Sequence, residues 1–405
     1  MESEFHKATV PPRARRLDPA VVTLGWVSFL SDVASDMIYP LLPDFLTRTL
    51  GAGPAALGLV EGVAESTASF TKVVSGWWSD RVRHRKRFVV LGYLVAAVAR
   101  PLVGLARTWS QVLAIRFADR VGKGVRTPPR DALLAALTPA SIRGRAFGLQ
   151  RAMDNAGAVA GPILAALLLR FVTGDERTVF LLALVPGLAA VALILWRVPD
   201  RTSVPAPATG SREAAPREKL PRAFRTAVAI FALFALANST DAFLLLRARD
   251  SGVPLWQMPL LWAFFQGVKA AAGVPGGMLS DRIGRLPTLA TGWIIYVFSY
   301  VGLAFAAAPA AVWPIFAIYG LFFALTEGAE RALVADLVGE PLRGRAFGAF
   351  HAAVGVAALP ASLLFGVLWK AAGPRVAFLT GAGIALVATI LLVAMRNRIR
   401  PEGAA

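Results

Sequence analysis

The chain has 405 residues, 56% of them apolar and only 17% charged, with a mean hydropathy of +0.58. A soluble domain carries about a quarter charged residues, so this balance excludes an ordinary globular protein and points to a membrane. The formal net charge of +18 would suggest a nucleic-acid partner in a soluble chain. Here most Lys and Arg sit at the termini and in alternate breaks between apolar runs, so the partner read from them is the lipid bilayer, not nucleic acid. Cysteine is absent and the three histidines (His6, His84, His351) are scattered. Disulfides, thiol chemistry and a histidine-built metal site are thereby removed, and no Gly-x-x-x-x-Gly-Lys-Ser/Thr run offers ATP drive. No cofactor is expected.

Roughly 20 apolar residues span a bilayer core as a helix. Six such runs are read at about 21–45, 54–79, 88–106, 109–131, 146–170 and 178–197. Six more follow at about 224–247, 255–280, 288–307, 311–336, 346–370 and 376–395. They do not alternate in polarity, which argues against β-barrel strands. Between the sixth and seventh, residues 199–221 are rich in Pro, Ala and charge and read as a flexible linker. The predicted organisation is an N-terminal bundle (1–198), the linker (199–221) and a C-terminal bundle (222–405). Basic loops resist translocation, so both termini and the linker are placed on the cytoplasmic side of an inner cell membrane. No cleavable signal pattern precedes the first run.

The chain also repeats itself. Arg143-Gly-Arg-Ala-Phe-Gly148 returns unchanged as Arg343-Gly-Arg-Ala-Phe-Gly348, and Gly76-Trp-Trp-Ser-Asp80-Arg81 returns as Gly277-Met-Leu-Ser-Asp281-Arg282. Two unrelated motifs at nearly one period mean a duplicated architecture. The fold class expected is an all-α membrane protein of 12 transmembrane helices in two pseudo-symmetric six-helix bundles.

Ionisable residues inside the runs carry the sharper information, because a charge in hydrocarbon costs at least about 2.5 kcal/mol and normally faces a cavity or a partner. Run 1 holds Asp32 and Asp36 one turn apart, and run 2 repeats the spacing with Glu61 and Glu65, followed by Lys72. Run 4 supplies Arg116, Asp119, Arg120 and Lys123, and run 5 supplies Gln150, Arg151, Asp154 and Asn155. The second half is sparser, with Asn238 and Asp241, then Gln266 and Lys269, then Glu327, Glu330 and Arg331. Runs 3, 6, 9 and 12 are nearly free of central charge and read as lipid-facing supports.

Gly277-Met-Leu-Ser-Asp281-Arg282-Ile-Gly284-Arg285 matches the loop signature Gly-x-x-x-Asp-Arg-x-Gly-Arg, and Arg116-Phe-Ala-Asp119-Arg120-Val-Gly122-Lys123-Gly124 resembles Arg-Phe-x-Gln-Gly-x-Gly-x-Gly. Gly157-Ala-Val-Ala-Gly161-Pro162 resembles a fifth-helix motif associated with antiporters. Together they resemble the major facilitator superfamily over essentially the whole chain. Ser31-Asp32-Val-Ala-Ser-Asp36, Glu61-Gly-Val-Ala-Glu65 and Arg126-Thr-Pro-Pro-Arg130-Asp131 are similar to a prokaryotic subgroup whose substrates are mostly unassigned.

The resemblance implies a monomeric secondary transporter of a small-molecule substrate, working by alternating access, and not an enzyme. Helices 1, 2, 4 and 5 would line the N-terminal half of its cavity. Asp36, Glu61, Glu65 and Asp119 are the candidates to load and release protons, with Asp36 and Glu65 foremost. Asp32, Arg116, Arg120, Lys123, Gln150, Arg151, Asp154, Asn238, Asp241, Gln266, Glu327 and Glu330 are the substrate-cavity candidates, Arg116 and Arg120 offering guanidinium forks. Gly76, Asp80, Arg81 and Asp131, with their counterparts Gly277, Asp281, Arg282 and Asp336, would form a conformational latch in which Arg81 pairs with Asp131 and Arg282 with Asp336. The Gly157, Gly161, Pro162 motif favours export by proton antiport. The charge density of helix 4 equally suits proton-coupled import of an anionic metabolite or chelate. A non-transporting sensor or membrane enzyme is the contrasting class, and no nucleophile–base or metal constellation supports it.

Overall fold

The computed structural model describes residues 17–79, 85–199 and 219–399. Its first six long helices are α1 (Pro19–Thr49), α2 (Pro54–Ser79), α3 (Arg85–Leu102), α4 (Trp109–Ala136), α5 (Arg143–Phe171) and α6 (Glu176–Arg197). The other six are α7 (Arg222–Asp250), α8 (Met258–Ile283), α9 (Arg285–Phe305), α10 (Pro309–Asp336), α11 (Arg343–Ala372) and α12 (Pro374–Ala394). No strand occurs among the described residues. Nine of the described helices are long and apolar enough to cross a membrane. The three others, α2, α4 and α8, carry the charges described below.

Helix starts follow local chemistry. Asp18 accepts from the Ala20 N–H at 2.8 Å ahead of Pro19, and Asp175 accepts from the N–H groups of Arg177 and Thr178 at 3.2 and 3.0 Å. Between α8 and α9 the chain reverses at Gly284, with φ +93°, a left-handed conformation that explains the glycine in the repeated loop motif. Its first-half counterpart, Arg83, lies outside the described residues. Prolines 40 and 43 lead α1 out of regular geometry into a 3-10 turn and then a π-helical end. The chain of α7 breaks between Ala237 and Ala242, where a continuous helix was expected.

Packing is twofold. In the first half α1 packs on α5 and α6, α2 on α4, and α3 on α4 and α6. In the second α7 packs on α11 and α12, α8 on α10, and α9 on α10 and α12. Each contact recurs six helices later, so the two bundles are pseudo-symmetric. They meet along two seams, α2 against α11 and α5 against α8. The α4–α5 and α10–α11 connections, with the repeated arginines, share one face, called here the arginine face. The α1–α2 and α7–α8 connections lie on the opposite face.

Glycine sets the closest approaches. A Cβ on Gly157 or Gly161 of α5 would lie 2.5 Å from the carbonyl oxygens of Phe29 and Val33 on α1, so this motif is a packing surface. At the α2–α11 seam a Cβ on Gly58 would lie 2.2 Å from the Ser362 carbonyl oxygen. Backbone cannot yield as a side chain can. Gly161→Leu should therefore lower the unfolding temperature in detergent, by an overpacking cost of about 1–3 kcal/mol. Gly148→Ala, whose Cβ meets nothing within 4 Å, should leave it unchanged or slightly raised.

Candidate functional site: a charged cavity between the bundles

A cavity of about 630 Å³ opens between the bundles, walled by α1, α2, α4 and α5 on one side and α7, α8, α10 and α11 on the other. The bundles touch at the opposite face. There Arg249 of α7 bonds Asp44 of α1 at 2.8 Å, and Arg48 lies 3.2 Å from both Asp44 and Asp250. The Gly58–Ser362 contact and a Gly366–Pro54 approach close the same end. At the arginine face the helix ends stand apart. A Cβ on Gly144, Gly148, Gly344 or Gly348 would meet nothing within 4 Å, and the Asp281 side chain is 68% exposed.

Under the cavity wall lies a sealed ionic layer. Arg116 donates twice to Glu61, Nε at 2.9 Å and Nη2 at 2.8 Å. Arg100 of α3 donates to Asp119 at 2.9 Å, and to the carbonyl and hydroxyl of Ser31 at 2.8 and 3.2 Å. All four charged residues are buried. Removing a buried ion from water costs several kcal/mol, so each charge is tolerated only because its partner is in place. Arg116 and Asp119 therefore do not line the cavity, and the Arg116 fork is already occupied by a carboxylate. Glu61 reaches the cavity wall but is committed to that pair. Arg100 is a buried charge within α3, a helix read as nearly free of central charge, and Glu176, the first residue of α6, is buried and accepts from Thr49.

Facing the cavity are Asp32, Asp36, Glu65, Arg120, Lys123, Arg151 and Asp154 of the first half, with Asn238, Asp241, Gln266 and Lys269 of the second. Asp36 accepts from the indole N–H of Trp262 at 3.0 Å, a bond from α1 to α8 across the bundles. Asp241 accepts from the Tyr319 hydroxyl at 2.6 Å, beside the break in α7 that exposes Asn238, Ser239 and Thr240 to the cavity. The irregular parts of α1 and α7 meet there, with the Tyr39 and Thr240 hydroxyls 3.5 Å apart. Glu327 lines an adjoining cavity at the α5–α8 seam, where it pairs with Arg151 from the other bundle, with Lys269 at 3.4 Å and with Arg331 at 3.0 Å. Gln150 is buried, donating to Ser28 and to Asp154 at 3.1 Å, and Glu330 lies against Trp293; neither lines the cavity.

Of the latch residues, Asp80 and Arg81 lie outside the described residues, and Gly76 lies in the last turns of α2. Asp131 pairs with its neighbour Arg130 at 2.9 Å. Asp336 is met at 3.4 Å by Arg285, which also pairs with Asp281; the Arg282–Asp336 pair was expected only with this face closed. The motif's second arginine follows the Gly284 turn, which swings it back toward α10. The opposite-face cluster of Asp44, Arg48, Arg249 and Asp250 was missed. Its one sequence signal was the Asp44–Arg48 spacing of one turn in a segment read as a helix end.

Arg100→Leu should destabilise the fold by about 3 kcal/mol, because buried Asp119 loses its hydrogen-bonded cation and keeps only Arg116, 3.7 Å away and already bonded to Glu61. Arg100→Leu with Asp119→Leu should recover much of that loss, as measured by thermal unfolding of both purified variants.

The family model of the Major Facilitator Superfamily matches residues 24–329 and 260–405. An uncharacterized MFS-type transporter of Methanocaldococcus jannaschii is 36% identical over 388 residues, covering 94% of this chain and 95% of that protein. The multidrug resistance protein MdtH of Cronobacter sakazakii is 25% identical, covering 84% of this chain and 83% of that one. The crystal structure of a POT family transporter has the same fold, with a TM-score of 0.79 at 12% identity over 94% of this chain and 96% of that one. Duplicated bundles, a charged cavity between them and a family match over residues 24–405 lead to one conclusion: this chain belongs to the Major Facilitator Superfamily, whose members are transporters and not enzymes.

Proposed function

We propose that this protein is a proton-coupled secondary transporter of a small polar or amphipathic solute, working by alternating access, with export by proton antiport as its direction. One observation carries the reading. The charged cavity is closed at one face by ion pairs between the bundles and open at the other. The basic loops support a cytoplasmic arginine face with both termini on that side, and on this reading the arrangement corresponds to the inward-open state of a monomer in the inner cell membrane. No metal or organic cofactor is needed, because the proton gradient supplies the drive.

Asp36 is the foremost proton carrier. It has no cation within ion-pair distance among the described residues, and its bond to Trp262 joins the two bundles. Gaining a proton removes the charge assistance from that bond and loosens the closed face. Glu65, by contrast, sits among Lys72, Arg120 and Lys123. The closed face is held by contacts that exist in one state only, and a few kcal/mol between states sets their populations. Export is supported by the Gly157, Gly161, Pro162 motif and by likeness to proteins named for multidrug resistance. The second reading is import of an anionic metabolite, favoured by the lysines and arginines that face the cavity without ion partners.

In proteoliposomes with an imposed pH gradient, ethidium should move against the proton flow. Asp36→Asn should abolish the gradient's effect while leaving ethidium exchange at equal pH. Flux indifferent to the gradient in the native chain would remove the coupling. Because the chain lacks cysteine, a single Thr240→Cys reports access to the cavity. Adding Arg48→Ala and Arg249→Ala should raise its labelling by an impermeant thiol reagent from the opposite face several-fold.

A further inference from the structure

We infer that the wall formed by α4 and α2 is an oxyanion subsite, built to hold a carboxylate or phosphate group of the transported solute on Arg120, Lys123, Arg126 and Lys72. The inference rests on the transport reading above and adds the chemical class of the cargo at that site.

All four residues line the cavity, and among the described residues none forms an ion pair. Arg120 is 7% exposed and Arg126 4% exposed. The Nε of Arg120 and Nη1 of Arg126 are buried donors without a hydrogen-bond acceptor. A buried donor left unmade normally costs about 1–3 kcal/mol, more when charged, and native chains seldom keep one without a ligand or other use. Arg120, Lys123 and Arg126 succeed one another at three-residue steps, so they form a stripe along one side of α4. The guanidinium of Arg126 is held 4.1 Å from the centre of the buried Tyr93 ring, which fixes its plane without using its donors.

The surrounding acids do not neutralise this stripe. Asp119 and Glu61 are spent on Arg100 and Arg116. Glu65 stands among Arg120, Lys123 and Lys72, Asp32 faces Lys123 and Arg126, and Asp119 acts on Arg120 while bonded to Arg100, yet among the described residues none of these carboxylates lies within ion-pair distance of the four cations. Arg120 and Lys72 repel Lys123, while Asp36 and Asp154 gather around Asp32 and repel it. The open N–H groups of Arg120 and Arg126 are what a bound oxyanion satisfies by accepting from them. The planar fork of each arginine suits two oxygens of one carboxylate or phosphate, and the lysines add point charge.

The test is thermal unfolding of the purified full-length protein in detergent at constant ionic strength, titrated separately with inorganic phosphate, citrate, chloride and tetraphenylphosphonium. Phosphate, citrate or both should raise the melting temperature saturably, and chloride should not; which of the two acts tells phosphate from carboxylate recognition. Arg120→Gln and Arg126→Gln should each raise the half-saturating concentration at least about tenfold, the loss of one charge-assisted bond. Lys72→Gln, at the exposed rim, keeps the test usable if the arginine variants do not fold, and should weaken binding in the same direction. Equal responses to phosphate, citrate and chloride, or stabilisation by tetraphenylphosphonium alone, would overturn the subsite. Gradient-driven ethidium flux that survives such a result would leave the transport reading standing, and anion binding without any proton-dependent flux would fault that reading alone.

Discussion

An arginine or carboxylate within the hydrocarbon zone must find either an opposite charge or a polar cavity, and this protein uses both solutions in adjacent layers. The bidentate Arg116–Glu61 bond and the Arg100–Asp119 pair tie α2, α3 and α4 into one rigid wall. Because those charges are spent, the next set on the same helices, Glu65, Arg120 and Lys123, is left for the cavity. Only because the first layer is neutral can the second hold its charges open.

The same economy extends to the ends of the molecule. On the opposite face Asp44, Arg48, Arg249 and Asp250 join the first helix of each bundle, at corresponding places in the duplicated architecture. On the arginine face Asp281, Arg285 and Asp336 hold α8 to α10 inside one bundle. Between the bundles the described ion pairs lie at the opposite face and, deeper, at Arg151–Glu327 on the α5–α8 seam. Between them the interrupted parts of α1 and α7 meet, where proline and a run of Asn, Ser, Thr and Asp deny the backbone a continuous ladder. Backbone irregularity of this kind is tolerable in a membrane only against a cavity or protein, and both are present.

Much of this was legible in the sequence. Twelve apolar runs became twelve helices, because an apolar length near 20 residues has few other fates in a membrane. Asp32 and Asp36, one turn apart, both line the cavity, since the helical period fixes a shared face. Glu61 and Glu65 share a face equally well, yet one is locked to Arg116 and the other is not. Spacing along one helix does not say which residue of a neighbouring helix stands opposite. Arg100 was hidden for a related reason: it lies inside the third apolar run, and nothing along that run shows that it reaches across to Asp119. The Arg249–Asp44 pair joins residues more than 200 positions apart, and only the closed arrangement of two bundles brings them together.

The central claim is that the two bundles rock about the charged cavity, opening one face as the other closes. Spin labels on Gly144→Cys of α5 and Gly344→Cys of α11 would report it most directly. A Cβ at either site meets nothing within 4 Å among the described residues, one site lies on each bundle at the arginine face, and no native cysteine interferes. The account predicts two populated separations whose proportions change when the pH is shifted in lipid nanodiscs. A single separation that stays fixed across pH would contradict it.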